Sequence, residues 1–225
     1  MDTLAQALRS ARARMVATQI AGRGVRDDRV LAAMLEIPRE VFVPPERRAD
    51  AYEDRPLPIG SAQTISQPFI VGRMLELCAI QPTDHALEIG TGTGYQSAVL
   101  SRLTASVVTI ERHEDLATAA RENLARLAIT NVEVRVGDGT LGAVDRAPFD
   151  VIIVAAGGPS VPPALCAQLA MGGRLVGPFG DRAQQRLARV TRIATTGRPD
   201  SLRAEWLDAV VFVPLLGAEG WPSDE

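Results

Sequence analysis

Residues 86–98 read Ala-Leu-Glu-Ile-Gly-Thr-Gly-Thr-Gly-Tyr-Gln-Ser-Ala and predict a buried strand, a glycine turn and the start of a helix. The glycines at 90, 92 and 94 form the pattern G-x-G-x-G. A dinucleotide fingerprint needs G-x-G-x-x-G, and Tyr95 stands here in place of its third glycine. The shorter pattern suits a ligand smaller than a dinucleotide, laid across the strand end rather than held by its pyrophosphate. The alternative is a tight strand-to-helix turn that needs glycine only for its positive φ.

Acidic residues follow the next two predicted strands. The apolar run 107–110 ends in Glu111, about 20 positions after Gly90, where a carboxylate can accept hydrogen bonds from both ribose hydroxyls. The alternating run Val132–Val136 is followed by Asp138 and Gly139, which can meet the amino group and a ring nitrogen of adenine. Each feature alone could be turn chemistry. Together with the glycine turn, they favour a site for a nucleoside sulfonium such as S-adenosylmethionine.

Strands and helices alternate in the remaining pattern. After the strand that begins at Ala86, further strands are predicted at 107–110, Val132–Val136, Phe149–Val154, 172–176, 187–194 and 206–213, and helices at 96–103, 116–127 and 162–170. The last two strands are separated only by the turn-rich stretch 195–201, so we expect an antiparallel pair at one edge. Crossovers link the first five. The predicted fold is an α/β, doubly wound, mostly parallel seven-stranded sheet with ligands at the carboxyl ends of its strands.

The region before the glycine turn is predicted to be an N-terminal helical and loop extension, 1–67, packed on a core formed by 68–225. Residues 1–37 are expected to be helical, with Asp27 as an N-cap. The proline-rich stretch 38–67 is expected to be a long irregular loop, and such loops inside compact domains are usually functional or disordered. Its apolar residues argue against disorder. The helix Pro68–Leu77 follows, and Ser66 either caps that helix or presents its hydroxyl to a substrate.

Composition excludes several classes of function. The net charge of -3 provides no basic surface for nucleic acid, and no apolar run reaches the roughly 18 residues of a membrane span. All 24 basic residues are arginine, which we interpret as compositional bias. Cys78 and Cys166 are expected to be buried thiols in a reducing cytoplasm. His85 and His113 lack companions at metal-ligand spacing, so no metal site is expected.

The chain resembles the protein-L-isoaspartate O-methyltransferases of bacterial type over nearly its whole length. The most specific match is Thr64-Ile65-Ser66-x-Pro68, which distinguishes this family from other S-adenosylmethionine enzymes. Further matching stretches are Leu57–Gly60, 63–68, 87–95, 137–139 and 172–175, together with 212–215 and 220–221. One departure is Ala62, which stands where bacterial members usually have glycine. It puts the kinetics of the loop in doubt more than the activity.

The resemblance implies the Rossmann-like methyltransferase fold and a repair reaction. The methyl group of S-adenosylmethionine passes to the free α-carboxyl of L-isoaspartyl, and possibly D-aspartyl, residues in damaged proteins, leaving S-adenosylhomocysteine. The partners are then isoaspartyl proteins and peptides, with no nucleic acid or membrane, and the protein is expected to be a cytoplasmic monomer. Two alternatives stay open: a related enzyme that modifies aspartate in one dedicated peptide, and a non-catalytic S-adenosylmethionine-binding protein.

The resemblance also assigns residue roles. Ser66 is expected to hold the substrate carboxylate by a hydrogen bond, and Glu88 to order the glycine turn or meet the ammonium group of the cofactor. Glu111 is expected to bind the ribose and Asp138 the adenine. The predicted cofactor-binding residues are Gln63, Thr64, Ile65, Ser66, Glu88, Gly90, Thr91, Gly92, Glu111, Asp138 and Gly139.

Overall fold

The computed structural model describes residues 2–194 and 201–222. Its strands are β1 Leu57–Gly60, β2 Gln63–Ile65, β3 His85–Ile89, β4 Ser106–Glu111, β5 Val132–Val136, β6 Phe149–Val154, β7 Leu169–Gly180, β8 Gln185–Arg192 and β9 Leu202–Val210. Its α-helices are α1 Asp2–Arg14, α2 Asp28–Glu36, α3 Pro68–Leu77, α4 Tyr95–Leu100, α5 Glu114–Arg126 and α6 Pro163–Ala167. Short 3-10 turns at Arg39–Val41 and Pro45–Asp50 lie between α2 and β1.

The main sheet has the strand order β5-β4-β3-β6-β7-β8-β9. Strands β3 to β7 pair in parallel, and β8 and β9 complete one edge in antiparallel pairing. The predicted fold class is therefore confirmed. The chain adds β4 and β5 on one side of β3, and then adds β6 and β7 on its other side. In open α/β sheets, ligands bind outside the carboxyl ends of the strands at such a switch point.

Several predicted element bounds need correction. The helix predicted at 162–170 ends at Ala167, because β7 already begins at Leu169. The strand predicted at 172–176 therefore starts earlier, and its pairing with β6 has a register shift before Arg174. The helix predicted at 96–103 is shorter, since α-helical bonding stops at Leu100. The last strand was predicted too late, because it covers Leu202–Val210. Most of the predicted turn, 195–200, lies outside the described residues.

The stretch predicted to be irregular contains a β-hairpin. Strands β1 and β2 pair antiparallel, and Ser61 and Ala62 at the tip have φ values of 48° and 55°. Positive φ at both central residues produces the tight turn that matches the twist of a hairpin. The Ser61 hydroxyl donates to the carboxylate of Asp115 in the first turn of α5. The hairpin thus reaches over the carboxyl ends of the sheet.

The N-cap predictions have opposite outcomes. Asp27 caps α2, because its side chain accepts hydrogen bonds from the backbone N–H groups of Arg29 and Val30. Ser66 does not cap α3: Gln67 precedes that helix, and Pro68 is its first residue. A proline at the first position removes one N–H that would otherwise need a partner. The Ser66 side chain is therefore free of that structural task.

The N-terminal extension packs into the same apolar core as the helices of the sheet. Met15, Ile20 and Phe42 are buried together with side chains of α3 and α4. At Gly72 in α3, a Cβ atom would lie 2.9 Å from Ile20, so glycine permits this close approach. A second apolar cluster covers the other face of the sheet. Both faces of the parallel strands are therefore covered, as their apolar sequences predict.

Neither cysteine forms a disulfide. Cys78 is fully buried, as predicted, and burial raises the pKa of its thiol to about 12. Cys166 is only half-buried, so the prediction of burial is only partly correct there. Within 2–194 and 201–222, no cluster of three His, Cys, Asp or Glu side chains is arranged to hold a metal ion. No helix in the same ranges has the length and apolar character needed to cross a membrane.

Candidate active site

The glycine turn after β3 is fixed by the side chains around it. Gly92 has a φ of 54°, and a Cβ atom there would lie 3.0 Å from Ile59 of the hairpin. The Thr91 hydroxyl lies 2.6 Å from that of Thr109 on β4, and the Thr91 carbonyl accepts from the N–H of Gly94. The turn is therefore held between the neighbouring strand and the hairpin.

Glu88 anchors the base of this turn. It is completely buried and accepts hydrogen bonds from the side chains of Gln96, Ser97 and Thr109. Burial raises the pKa of Glu88 to about 7. The hydrogen bonds from the three donors favour the charged form and lower this pKa, but burial has the larger effect. The contacts join β3, β4 and the start of α4. Of the two predicted roles, ordering the turn matches this geometry.

Glu111 lies at the end of β4 and faces the same region. One carboxylate oxygen accepts from the N–H of Gly92 at 2.8 Å, and the other accepts from the N–H groups of Arg112 and His113 at 2.9 and 3.0 Å. These three bonds leave one acceptor position on a carboxylate that can accept about four hydrogen bonds. Glu111 can therefore accept a further hydrogen bond from a ligand.

Asp138 is engaged within the protein. Its carboxylate accepts from the N–H and hydroxyl of Thr140 and from the N–H of Ala218. Burial alone would raise the pKa of Asp138, but the bonds from Thr140 and Ala218 outweigh it and lower the pKa. The neighbouring glycines 137 and 139, and not the Asp138 side chain, are among the lining residues of the cavity described next.

A cavity of about 580 Å³ lies at the carboxyl ends of the strands, and we call it the strand-end cavity. Five of the predicted cofactor-binding residues line it: Gln63, Gly90, Gly92, Glu111 and Gly139. The other residues that line the cavity were not predicted. They are Ile89, Ile110, Arg112, His113, Gly137, Ala155, Ala156, Val213, Pro214, Leu215 and Leu216. The segment 213–216 follows β9 and reaches the site through the antiparallel edge of the sheet. Residues 212–215 match the family, but that match predicts no role in the site.

A second cavity of about 320 Å³, the Ser66 cavity, adjoins the first and shares Gly90, Gly92 and Ala155 with it. Its other lining residues are Ile59, Ile65, Ser66, Val71, Thr91, Thr93, Tyr95 and Gln96. Among the described residues, none forms a hydrogen bond with the Ser66 hydroxyl. That hydroxyl is therefore available to a ligand.

An outer groove extends from Ser66 toward the end of β9. Thr64, predicted to bind the cofactor, is exposed here and lines this groove instead of the two inner cavities. The opposite wall is formed by residues 208–213. The groove thus leads from the molecular surface to the Ser66 hydroxyl.

Arg39 was not predicted to belong to the site. Its side chain is completely buried, and its Nε and Nη2 donate to the carbonyl oxygens of Ala51 and Ser66, both at 2.8 Å. The guanidinium carbon lies 4.9 Å from the centroid of the Tyr95 ring. Burial lowers the pKa of Arg39 to about 10, so the group remains a cation at neutral pH. No periodicity or motif spacing signals a buried arginine in a loop.

A family model matches residues 10–220, and it describes protein-L-isoaspartate(D-aspartate) O-methyltransferase. The chain belongs to this family. The assignment confirms the family predicted from the residues and, with it, the repair methyltransferase activity toward isoaspartyl proteins. It also confirms S-adenosylmethionine as the methyl donor.

Curated relatives and solved structures agree with this assignment. The protein-L-isoaspartate O-methyltransferase of Koribacter versatilis is 55% identical over 210 residues, covering 93% of this chain and 92% of the relative. Protein-L-isoaspartate O-methyltransferase 1 of Rhodopseudomonas palustris (strain HaA2) is 54% identical over 213 residues, covering 94% and 85%. A solved protein-L-isoaspartate O-methyltransferase superposes with a TM-score of 0.81 at 30% identity, covering 94% of this chain and 67% of that one. A Plasmodium falciparum structure in complex with S-adenosyl-L-homocysteine shares the fold, with a TM-score of 0.77 at 24% identity, and covers 91% of this chain and 98% of its own.

Proposed function

We propose that the strand-end cavity is the site at which this methyltransferase holds S-adenosylmethionine. It lies outside the carboxyl ends of the parallel strands, beside β3 and β6, which is the sheet position where such ligands bind. Glu111 would accept from the ribose hydroxyls, while Gly90, Thr91 and Gly92 would face the methionine part. The bound donor supplies an electrophilic methyl group on a sulfonium sulfur.

The adenine end is proposed to lie beside Gly139. Its backbone lines the cavity, whereas the Asp138 carboxylate already holds Thr140 and Ala218 in place. The proposed role of Asp138 therefore includes shaping this wall as well as accepting from an adenine amino group. A Cβ atom at position 139 would lie 2.4 Å from Ile89, so glycine is required here.

We propose Ser66 as the catalytic residue that holds the substrate carboxylate. The observation that carries this proposal is the adjacency of the two cavities, since the Ser66 cavity and the strand-end cavity share Gly90, Gly92 and Ala155. An isoaspartyl α-carboxyl group is already ionised near neutral pH, so no strong general base is needed. The chemical task is alignment of two bound reactants, which can remove several kcal/mol of barrier.

Water exclusion supports the same step. Ile59, Ile65 and Val71 give the Ser66 cavity apolar walls. The anion and the sulfonium cation both lose charge on the way to products, so walls that exclude water remove hydration that would otherwise stabilise the charged reactants. Gln63 and Ile65 of β2 belong to the walls of the two cavities, and Thr64 lies on the outer groove.

The outer groove is proposed to hold the peptide on either side of the damaged residue. Damaged proteins share no sequence, so recognition is expected to use main-chain contacts. The extension 1–67 would then supply the substrate-facing loop and 68–225 the methyltransferase core.

We further propose a cytoplasmic monomer without nucleic acid or membrane partners, which the net charge of -3 and two free cysteines support. Light scattering during size-exclusion chromatography tests the monomer.

The decisive experiment compares methyl transfer to an isoaspartyl peptide with transfer to its ordinary aspartyl counterpart. We expect transfer from S-adenosylmethionine to the isoaspartyl peptide alone. Transfer to the aspartyl peptide would contradict repair specificity, and transfer to neither would contradict the proposed function. The Ser66→Ala variant in the same assay separates the fold from the site, since the Ser66 hydroxyl forms no hydrogen bond with any residue in 2–194 or 201–222.

A further inference from the structure

We infer that Arg39 is a positioning residue whose buried positive charge selects a carboxylate at the Ser66 cavity, while its guanidinium fixes the Ser66 backbone. This inference rests on the proposed function of Ser66. It assigns the charge recognition of the substrate to a residue outside the walls of both cavities.

The first observation is where Arg39 lies. It begins the 3-10 turn Arg39–Val41, and this turn contacts both halves of the site. On one side, Nη2 of Arg39 donates to the carbonyl oxygen of Ser66. On the other side, the guanidinium lies over the ring of Tyr95, the first residue of α4 after the glycine turn. The hydroxyl of Thr93 in the glycine turn also donates to the carbonyl of Phe42. Arg39 therefore connects the substrate residue to the cofactor turn.

The second observation is that the charge of Arg39 has no anionic partner. Within 2–194 and 201–222, no carboxylate oxygen lies within 4.0 Å of its guanidinium nitrogens, and its buried Nη1 has no hydrogen-bond partner. A buried charge normally needs a partner to offset its lost hydration. Arg39 has two carbonyl acceptors and an aromatic ring, and the part of the chain that the structure describes offers it no compensating negative charge.

Arg174 shows what a structural arginine looks like in the same fold. Its guanidinium also donates to two backbone carbonyls, those of Cys78 and Ala79. Unlike Arg39, it is paired with a carboxylate, that of Asp84, at 2.8 Å. The two arginines make similar backbone contacts and differ in the anion. At Arg39, the substrate itself supplies the missing anion.

Ser66 connects the cation with the substrate. Its carbonyl accepts from Arg39, and the same residue lines the Ser66 cavity. A carboxylate held by the Ser66 hydroxyl and the Arg39 guanidinium would therefore both bind Ser66, one at its side chain and the other at its carbonyl. Ser66 is half-buried and Arg39 is completely buried, and charges in such surroundings interact more strongly than they do across water. A neutral group in the same place would gain nothing from this charge.

The experiment uses two peptides that differ only at the isoaspartyl α-carbon, with a carboxylate in one and a carboxamide in the other. Their affinities are measured by calorimetry in the presence of S-adenosylhomocysteine. We expect Arg39→Met to weaken binding of the carboxylate peptide by about ten-fold and to leave the carboxamide peptide within about two-fold. Equal weakening of both peptides, or of neither, would overturn the inference.

Two further variants complete the test. Arg39→Lys keeps the charge but cannot reach both Ala51 and Ser66, so its preference for the carboxylate should persist while kcat falls several-fold. A folded Arg39→Lys protein that has lost the preference would overturn the inference even if Arg39→Met does not fold. The matched control is Arg29→Met, which removes a guanidinium bound to the carbonyls of Ile80 and Leu103, away from the site. Its peptide affinities should match those of the wild type.

This test is separate from that of the proposed function. Wild-type turnover of an isoaspartyl peptide with no effect of Arg39→Met refutes the role of Arg39 alone. Absence of wild-type turnover refutes the proposed function itself.

Discussion

The backbone N–H of Gly92 donates to the carboxylate of Glu111 at 2.8 Å. Gly92 follows β3 and Glu111 ends β4, so this bond joins two neighbouring strand ends at the edge of the strand-end cavity. Two further backbone donors, from Arg112 and His113, fix the orientation of the carboxylate. Glu111 therefore organises the glycine turn, in addition to its proposed contact with the ligand.

Glu111→Ala should weaken binding of S-adenosylhomocysteine by about 10- to 100-fold, because it removes a charged acceptor for the ribose hydroxyls. Isothermal titration calorimetry measures the effect. The control is Asp150→Ala, since Asp150 accepts from the N–H of His85 at the opposite end of the sheet. Comparable losses in both variants would mean that the nucleoside lies elsewhere.

Ser66→Ala should lower kcat/KM for an isoaspartyl peptide by about ten-fold, the value expected for one lost hydrogen bond. The free energy of unfolding should stay unchanged in urea titrations, because the hydroxyl makes no hydrogen bond with the described residues. Ser106→Ala serves as the control, since Ser106 bonds with His85 far from the site. Unchanged kinetics for Ser66→Ala would remove the catalytic role.

Glu88→Gln should change how stability depends on pH. Burial raises the pKa of Glu88 from 4.5 to about 7, so the folded protein binds this proton more tightly than the unfolded chain does. The stabilisation from Glu88 is complete below about pH 4.5 and is lost as the pH rises through 7, on the order of 3 kcal/mol. The amide of glutamine has no such loss, and the hydroxyls of Ser97 and Thr109 can accept from it.

Urea denaturation at pH 5, 6, 7 and 8 measures this difference between variant and wild type. The exposed Glu205→Gln is the control and should follow the wild-type curve. Parallel curves for Glu88→Gln and the wild type would show that Glu88 does not titrate in this range.

Ala62→Gly should stabilise the hairpin. Ala62 has a φ of 55°, where an L-residue with a Cβ atom is strained and glycine is not. We expect the free energy of unfolding to rise by about 0.5–1 kcal/mol, which is the strain relieved minus the greater freedom of glycine in the unfolded chain. Ala49→Gly provides the matched control. Ala49 is an exposed residue without positive φ, so glycine should lower the free energy of unfolding there. The same sign at both positions would contradict the strain at Ala62.

The sequence predicted the central sheet well, because buried parallel strands are continuous apolar runs. The bounds of β5 and β6 match Val132–Val136 and Phe149–Val154, and α3 matches Pro68–Leu77. The β1–β2 hairpin was missed, since its turn places Ser61 and Ala62 at positive φ without the glycine or asparagine that usually signals such a turn. Local strain accepted by the surrounding structure cannot be predicted from local preference.

The candidate site was predicted where one motif holds the chemistry and missed where distant segments meet. Gly90 and Glu111 follow directly from strand ends and spacing, and both line the strand-end cavity. The proposed role of Arg39 depends on its contacts with the carbonyl oxygens of Ala51 and Ser66, which come together only in the folded chain. The wall at 213–216 depends likewise on the path of the chain after β9. Arg39 carries no pattern of its own, and the family match at 212–215 does not indicate which strand ends that segment reaches.

The close approach of Gly139 to Ile89 has a consequence for the protein's own chemical ageing. The close contact with Ile89 requires glycine at 139, and Asp138 precedes it, so the chain contains an Asp-Gly pair at 138–139. Isoaspartate forms when the nitrogen of the following residue attacks an aspartyl side chain, and glycine leaves that nitrogen unshielded. The Asp138 carboxyl is held by Thr140 and Ala218, and these bonds must break before it can turn toward the Gly139 nitrogen. The enzyme thus restrains, within its own fold, the lesion that its family repairs in other proteins.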